Sequence, residues 1–186
     1  MKGATSIQER LWELRKDKGL NLEELSELTG ISNQDLRERG LPKTRVCRDI
    51  AEMIQGNTLL LAYNAHFDLS FLFYFLRNHG DPMILKGKDK LDLLTVYKDR
   101  RPYPPKLCNA IEDYGLTGKV VNSHRAVDDV IATVAVMEEM EKEKADLERY
   151  VNLFGYNPKF GIDGKPIGSV TYKPQPYDSP VALYEK

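Results

Sequence analysis

The sequence predicts an α/β protein led by a helical segment, and three observations carry that reading. Apolar residues recur at helical spacing through the first fifty or so positions. The pattern then changes: Thr58-Leu59-Leu60-Leu61-Ala62-Tyr63 is a continuous apolar run bounded by Gly56-Asn57, as expected of a strand buried on both faces. Beyond it, long helix-compatible stretches alternate with a second short apolar run.

Element by element, Ile7, Leu11 and Leu14 mark a first helix that Gly19 is placed to stop. Asn21 can cap a second, carrying Leu22, Leu25 and Leu28, with Glu24 at the reciprocal capping position. Thr29-Gly30-Ile31-Ser32 reads as a turn with a new N-cap, followed by a short helix over Asn33 to Arg39. Pro42 opens another helix, up to about Gly56. After the strand at 58–63, Phe67 to Leu76 is helical and ends near Asn78 and Gly80. Ile84-Leu85 and Leu91-Asp92-Leu93-Leu94 offer a second strand region, and Lys106 to Tyr114 a short helix closed by Gly115. Ala126 to about Leu147 forms a long helix whose expected apolar stripe is Val130, Val134, Met137 and Met140. Residues 155–186 are rich in Pro, Gly and Tyr and read as an ordered tail or a hairpin.

Composition narrows the function classes. With 27 Lys+Arg against 28 Asp+Glu over 186 residues, the chain is not a globally basic nucleic-acid wrapper, although a local basic groove remains compatible. Two cysteines, Cys47 and Cys108, are too few for a disulfide framework or a Cys-rich zinc site and are expected to be free thiols in a reducing compartment. Met1-Lys2-Gly3 runs straight into a polar, charged stretch rather than a secretory signal. The most apolar window, Leu59 to Leu76, carries Asn64, His66 and Asp68 near its centre, so it is expected to be strand, turn and helix rather than a membrane span. The expected location is cytoplasmic, with no membrane partner.

Two strings concentrate chemistry. In Ala62-Tyr63-Asn64-Ala65-His66-Phe67-Asp68 a strand ends and a helix begins with an acid in its first turn. In His124-Arg125-Ala126-Val127-Asp128-Asp129 an imidazole precedes the long helix and a carboxylate follows a little over one turn later. Such a pair can face one cleft, the carboxylate holding a metal and the histidine handling a proton.

These strings resemble a known family. Asn64-Ala65-His66-Phe67-Asp68, followed by Leu69 and Phe71-Leu72, is similar to the second motif of the DnaQ-like DEDDh group of 3′–5′ exonucleases, which includes the proofreading epsilon subunit of bacterial DNA polymerase III. His124-x-Ala126-x-x-Asp129 resembles the third motif, and Leu91-Asp92-Leu93-Leu94-Thr95 the strand whose Asp lies near the site. Leu28 to Leu36 is similar to the family's H-G-I-T-x-E-x-L linker, so the resemblance spans roughly residues 28–145. It implies an RNase H-like fold, with Asp68 and Asp129 as ligands of Mg²⁺ or Mn²⁺ and His124 as the general base. Asn64 and Phe67 would shape the pocket for the 3′-terminal nucleotide. The implied activity is two-metal hydrolysis of 3′-terminal phosphodiesters of DNA, on single-stranded or frayed 3′ ends. The expected protein partner is a polymerase or a second copy of the chain.

The sequence departs from that pattern upstream. No D-x-E, the family's first motif, precedes Asp68, and nothing there resembles a three-stranded β-meander. The expected RNase H-like fold is therefore incomplete and its activity impaired, since two carboxylates are a poor cage for two metals. In place of the meander, Ile7 to Leu20 and Leu22 to Ser32 resemble the first helices and turn of Xre/Cro-type helix-turn-helix repressors. The expected organisation is a helix-turn-helix-like segment over 1–32, an exonuclease-like region over 33–148 and a tail over 149–186. Gln34, Arg37 and Arg39 are candidate DNA contacts. A DNA-binding regulator with a non-catalytic C-terminal body is the alternative function.

Overall fold

The computed structural model describes residues 32–121, 126–177 and 181–186, so the helix-turn-helix-like segment lies outside the described residues apart from Ser32. The chain divides into two compact units, one of residues 1–54 with 71–84 and the other of residues 55–70 with 85–186.

In the first unit, α1 spans Asn33–Arg39. Ser32 and Asp35 close its start reciprocally: the Asp35 N–H donates to the Ser32 hydroxyl at 3.0 Å, and the Ser32 N–H and hydroxyl donate back to the Asp35 carboxylate at 3.0 and 2.5 Å. Those hydrogen bonds hold the Asp35 pKa below its ordinary value. Helix α2, Lys43–Met53, begins just after Pro42, whose carbonyl accepts from the Arg45 and Val46 N–H groups. Cys47, on α2, is buried, and a Cβ added to Gly80 would come within 2.8 Å of the Cys47 Cβ, so glycine is required there for close approach.

In the second unit, β1 (Leu59–Ala62) runs through the turn at 63–64 into α3 (Ala65–His79), whose C-terminal half belongs to the first unit. After a 3₁₀ turn over Pro82–Leu85, β2 (Asp89–Asp92) pairs in parallel with β1 in the register Leu59↔Asp89 to Ala62↔Asp92. Helix α4, Leu93–Arg100, follows β2 with no loop between them. Of the expected second strand region, Leu91-Asp92 is strand, whereas Ile84-Leu85 lie in the 3₁₀ turn and Leu93-Leu94 open α4. The Asp92 carboxylate accepts from the Leu94 N–H, and this N-cap turns Leu93 and Leu94 into the first turn of a helix. Strand β1 is also less buried than its all-apolar composition implies, with Leu59 46% exposed, because among the described residues it pairs along one edge alone.

Helices α5 (Leu107–Asp113) and α6 (Ala126–Glu143) pack with α4 on the main core, which gathers Leu93, Val96, Tyr97, Ile111, Ala132, Val136 and Met140. Gly115, at a φ of 65°, ends α5 as expected. Of the stripe expected on α6, Met140 is fully buried and Met137 packs against the core. Val130 is 61% exposed and Val134 is exposed too, their places in the buried row being taken by Ala132 and Val136. Helical spacing admits both rows, and reading by side-chain bulk favours the valines. Packing seats the smaller Ala132 instead.

The described residues of the C-terminal segment include two strands, but these do not form a hairpin. A 3₁₀ turn at Leu147–Tyr150 leads to β3 (Leu153–Tyr156), which pairs in parallel with β4 (Thr171–Pro174). The residues between them carry the chain back to its starting end, as parallel pairing demands. Asn152 seats β3 beside β2, donating its N–H to the Lys90 carbonyl and accepting the Lys90 N–H on Oδ1. Asp99 on α4 gathers the end of the chain, accepting from Tyr150 Oη, Gln175 Nε2 and the Leu183 N–H. Gly155 faces the fully buried Gln175, whose Oε1 would lie 1.9 Å from an added Cβ. Gly155→Ala should therefore cost about 2–3 kcal/mol, from overpacking and the displaced Gln175 amide. An unchanged urea-unfolding midpoint would contradict this.

Candidate active site

The site is assembled where β1 hands over to α3. Asn64 occupies the turn at a φ of 68°, a left-handed conformation that asparagine tolerates better than most residues. Its geometry is held by Asp92, whose Oδ1 accepts from the Asn64 N–H at 2.9 Å, the Ala65 N–H at 3.0 Å and the Leu94 N–H at 3.2 Å. Asp92 Oδ2 accepts from Thr95 Oγ1 at 2.7 Å. One carboxylate thereby closes the N-terminal ends of α3 and α4 together. Burial pushes the Asp92 pKa up, and these hydrogen bonds oppose the shift without cancelling it.

The first turn of α3 presents Phe67, 55% exposed, and Asp68. Although Asp68 reaches the surface, the protein around it desolvates its carboxyl and raises its pKa, and the nearby Asp92 charge adds to the rise. A bound cation would oppose that rise by favouring the charged carboxylate.

A cavity of about 150 Å³ lies against this turn, within the second unit. Asn64, Phe67, Asp92 and Lys98 line it from the β1–α3 turn and α4, and Tyr156, Asp163 and Tyr172 line it from the C-terminal segment. That second wall is fixed by contacts from several directions. His66 Nε2 lies 3.2 Å from the Lys165 carbonyl, its ring meets Tyr172 edge-on, and the Gly155 N–H donates to Thr95 Oγ1.

Asn64 and Phe67, both expected at a nucleotide pocket, thus share one cavity, and Asp68 sits beside them in the same helical turn. Asp129 lies in the first turn of α6, outside the cavity lining. Its Oδ1 is buried and has no hydrogen-bond partner among the described residues. His124 falls within 122–125, outside the described residues. Gln34, Arg37 and Arg39 are exposed on α1, where Gln34 bonds Glu38 and Arg39 stands 3.9 Å from Asp35.

Sequence reasoning set Asp92 near the site without its double-capping role, and it missed Lys98, Tyr156, Asp163 and Tyr172. For Lys98 a weak signal existed, since Leu94 and Lys98 are four apart on one helix face and both line the cavity. The C-terminal residues carry no motif.

As for metals, no group of three or more His, Cys, Asp or Glu side chains is arranged to hold an ion among the described residues. The Asp129 Oδ1 is an unpartnered acceptor, and the described donors do not complete a two-metal cage.

A parallel strand pair joined by a crossover helix, with Asp92 at the strand end and Asp68 in that helix, makes this an α/β domain. The chain belongs to the exonuclease family: the exonuclease (RNase T) family model matches residues 13–137, which implies a nucleic-acid substrate. Neither the curated proteins nor the solved structures contain a match. The matched stretch stops short of β3, so the second cavity wall lies outside it. No helix among the described residues is long and apolar enough to cross a membrane.

Proposed function

We propose that this chain is a 3′–5′ exonuclease-like protein that engages single-stranded or frayed 3′ ends of DNA, with impaired hydrolysis of the terminal phosphodiester. The observation that carries the reading is the buried Asp129 Oδ1 with no donor among the described residues. A lone buried carboxylate oxygen is costly unless a cation or a hydrogen-bond donor takes it up, and a divalent cation is the partner this reading assigns to it. Asp68 and Asp129 are the residues that would hold Mg²⁺ or Mn²⁺. A bound ion would supply Lewis-acid activation of water and neutralise phosphate charge.

The remaining roles belong to the chain. Asn64, fixed by Asp92, and Phe67, projecting from α3, orient the terminal nucleotide. His124, preceding α6, would take the proton of the attacking water. Impairment follows from the donor count: without D-x-E upstream of Asp68, developing charge at the phosphate is under-compensated.

The test is release of 5′-mononucleotides from a labelled single strand in Mn²⁺, with Asp129→Ala as control. The expected outcome is turnover at or close to background for both proteins, with retained binding of single-stranded DNA. Robust turnover abolished by Asp129→Ala would overturn the impairment, and failure to bind single-stranded DNA would overturn the assignment.

A further inference from the structure

We propose that Lys98 determines base preference at the cavity beside Asn64, favouring nucleobases with a keto oxygen, guanine and thymine, over adenine. The inference rests on the reading of this cavity as the pocket of a terminal nucleotide.

Size comes first. At about 150 Å³ the cavity is smaller than pockets that enclose whole drug-sized ligands, so it admits one moiety of a nucleotide. Its walls select the base as that moiety. Phe67 is exposed at the helix start and Tyr172 is half-buried in the opposite wall. Aromatic faces of this kind stack on any base. Stacking alone gives affinity without preference.

Preference requires an unsatisfied polar group sheltered from water, and the lining contains few: the Asp163 carboxylate is exposed to solvent, and the Tyr156 hydroxyl both donates and accepts. Asp92 is occupied by four donors, His66 faces the Lys165 carbonyl, and Asn157 Oδ1 accepts the Lys159 N–H. Lys98 is the one lysine or arginine in the lining, and it makes no hydrogen bond or ion pair among the described residues. Its ammonium stands 5.5 Å from the Tyr177 ring centroid, a contact that consumes none of its three donors. Desolvation by burial lowers its pKa, with the Asp92 and Asp99 charges opposing, and a ligand acceptor would favour the charged form. The Asn64 amide offers both a donor and an acceptor and so does not discriminate.

An ammonium accepts nothing. N7 is an acceptor in both purines, so the discrimination lies at the exocyclic position. Guanine O6 or thymine O4 would meet the ammonium with a lone pair, whereas the adenine 6-amino group would meet it donor to donor.

Binding of deoxynucleoside 5′-monophosphates to the full chain, measured by calorimetry in EDTA, tests the idea without any hydrolysis. The decisive pair is deoxyinosine and deoxyadenosine monophosphate, whose bases differ by keto against amino at position 6. The inosine form should bind about tenfold more tightly, and deoxyribose 5-phosphate should bind far more weakly than either. Lys98→Met should bring the pair within about twofold of each other while leaving the thermal unfolding midpoint in place. Equal binding of the pair, equal binding of the base-free sugar phosphate, or a preference surviving in Lys98→Met would each overturn the proposal. If Lys98→Met fails to fold, the comparison in the unaltered chain still decides. Absence of nuclease activity leaves this result untouched, so the two readings fail separately.

Discussion

Asp92→Ala should destabilise the chain by about 3–5 kcal/mol, a larger effect than removal of any surface charge. The carboxylate is the acceptor for the Asn64, Ala65 and Leu94 N–H groups and the Thr95 hydroxyl. An orphaned buried donor costs about 1–3 kcal/mol and a lost helix cap about 1 kcal/mol. Water entering the vacated space offsets part of that sum. Urea unfolding gives the magnitude, and hydrogen exchange gives the location, with the Asn64 and Ala65 amides exchanging fastest relative to the unaltered chain. A loss below about 1 kcal/mol would show that the N–H groups find other acceptors.

The ionisation of the same group has the opposite sign. Because burial raises the Asp92 pKa in the folded chain, its titration contributes stability below the ordinary aspartate value. That contribution is lost as pH rises through the raised folded value. Asp92→Asn, which keeps an acceptor oxygen without the charge, should be milder than Asp92→Ala and should remove this dependence.

Arg100→Met should cost about 3 kcal/mol. The Arg100 side chain is 8% exposed and donates to the Met140 carbonyl at 2.6 Å, the Lys144 carbonyl at 3.1 Å and Asp146 Oδ1 at 2.5 Å. Removing one member of a buried pair costs about 3–5 kcal/mol because the partner charge is stranded. Asp146 keeps Lys144 and Tyr184, which places the cost at the lower end. Burial by itself would raise the Asp146 pKa, but hydrogen bonds from Tyr184 and Lys144 and the Arg100 charge outweigh it and leave the value lowered. Glu143 is likewise lowered, with Arg101 and Tyr114 outweighing its burial. Stability from both is present above the ordinary carboxylate range and lost as pH falls through the lowered values. The acid limb of the stability profile, below about pH 4, should flatten in Arg100→Met. A profile parallel to that of the unaltered chain would contradict the coupling.

Much of the frame was legible because its signals are local. The Ser32–Asp35 cap, Pro42 before α2, the leucines of β1 and Gly115 after α5 each act on residues within a turn of themselves. Burial was less legible, since it depends on neighbours. The leucines of β1 imply two covered faces, yet their exposure is set by which edges are paired. The α6 row was misjudged for a related reason, as bulk does not reveal which side of a helix meets the core. Of the residues lining the cavity, Asn64 and Phe67 stand in a string that the sequence marks, and Asp68 lies beside them in the same helical turn. The double cap by Asp92 joins residues 27 and 28 positions apart, and the wall at Tyr156 and Tyr172 has no pattern that sets it apart from any tail.

Gly155 has an evolutionary consequence. Its N–H meets the Thr95 hydroxyl, and its missing side chain is the space that the Gln175 amide occupies. Positions 155 and 175 therefore cannot drift independently: a larger residue at the first demands a smaller one at the second. Among descendants of this chain the two should covary, and a C-terminal segment exchanged between relatives should be accepted only when both positions travel with it.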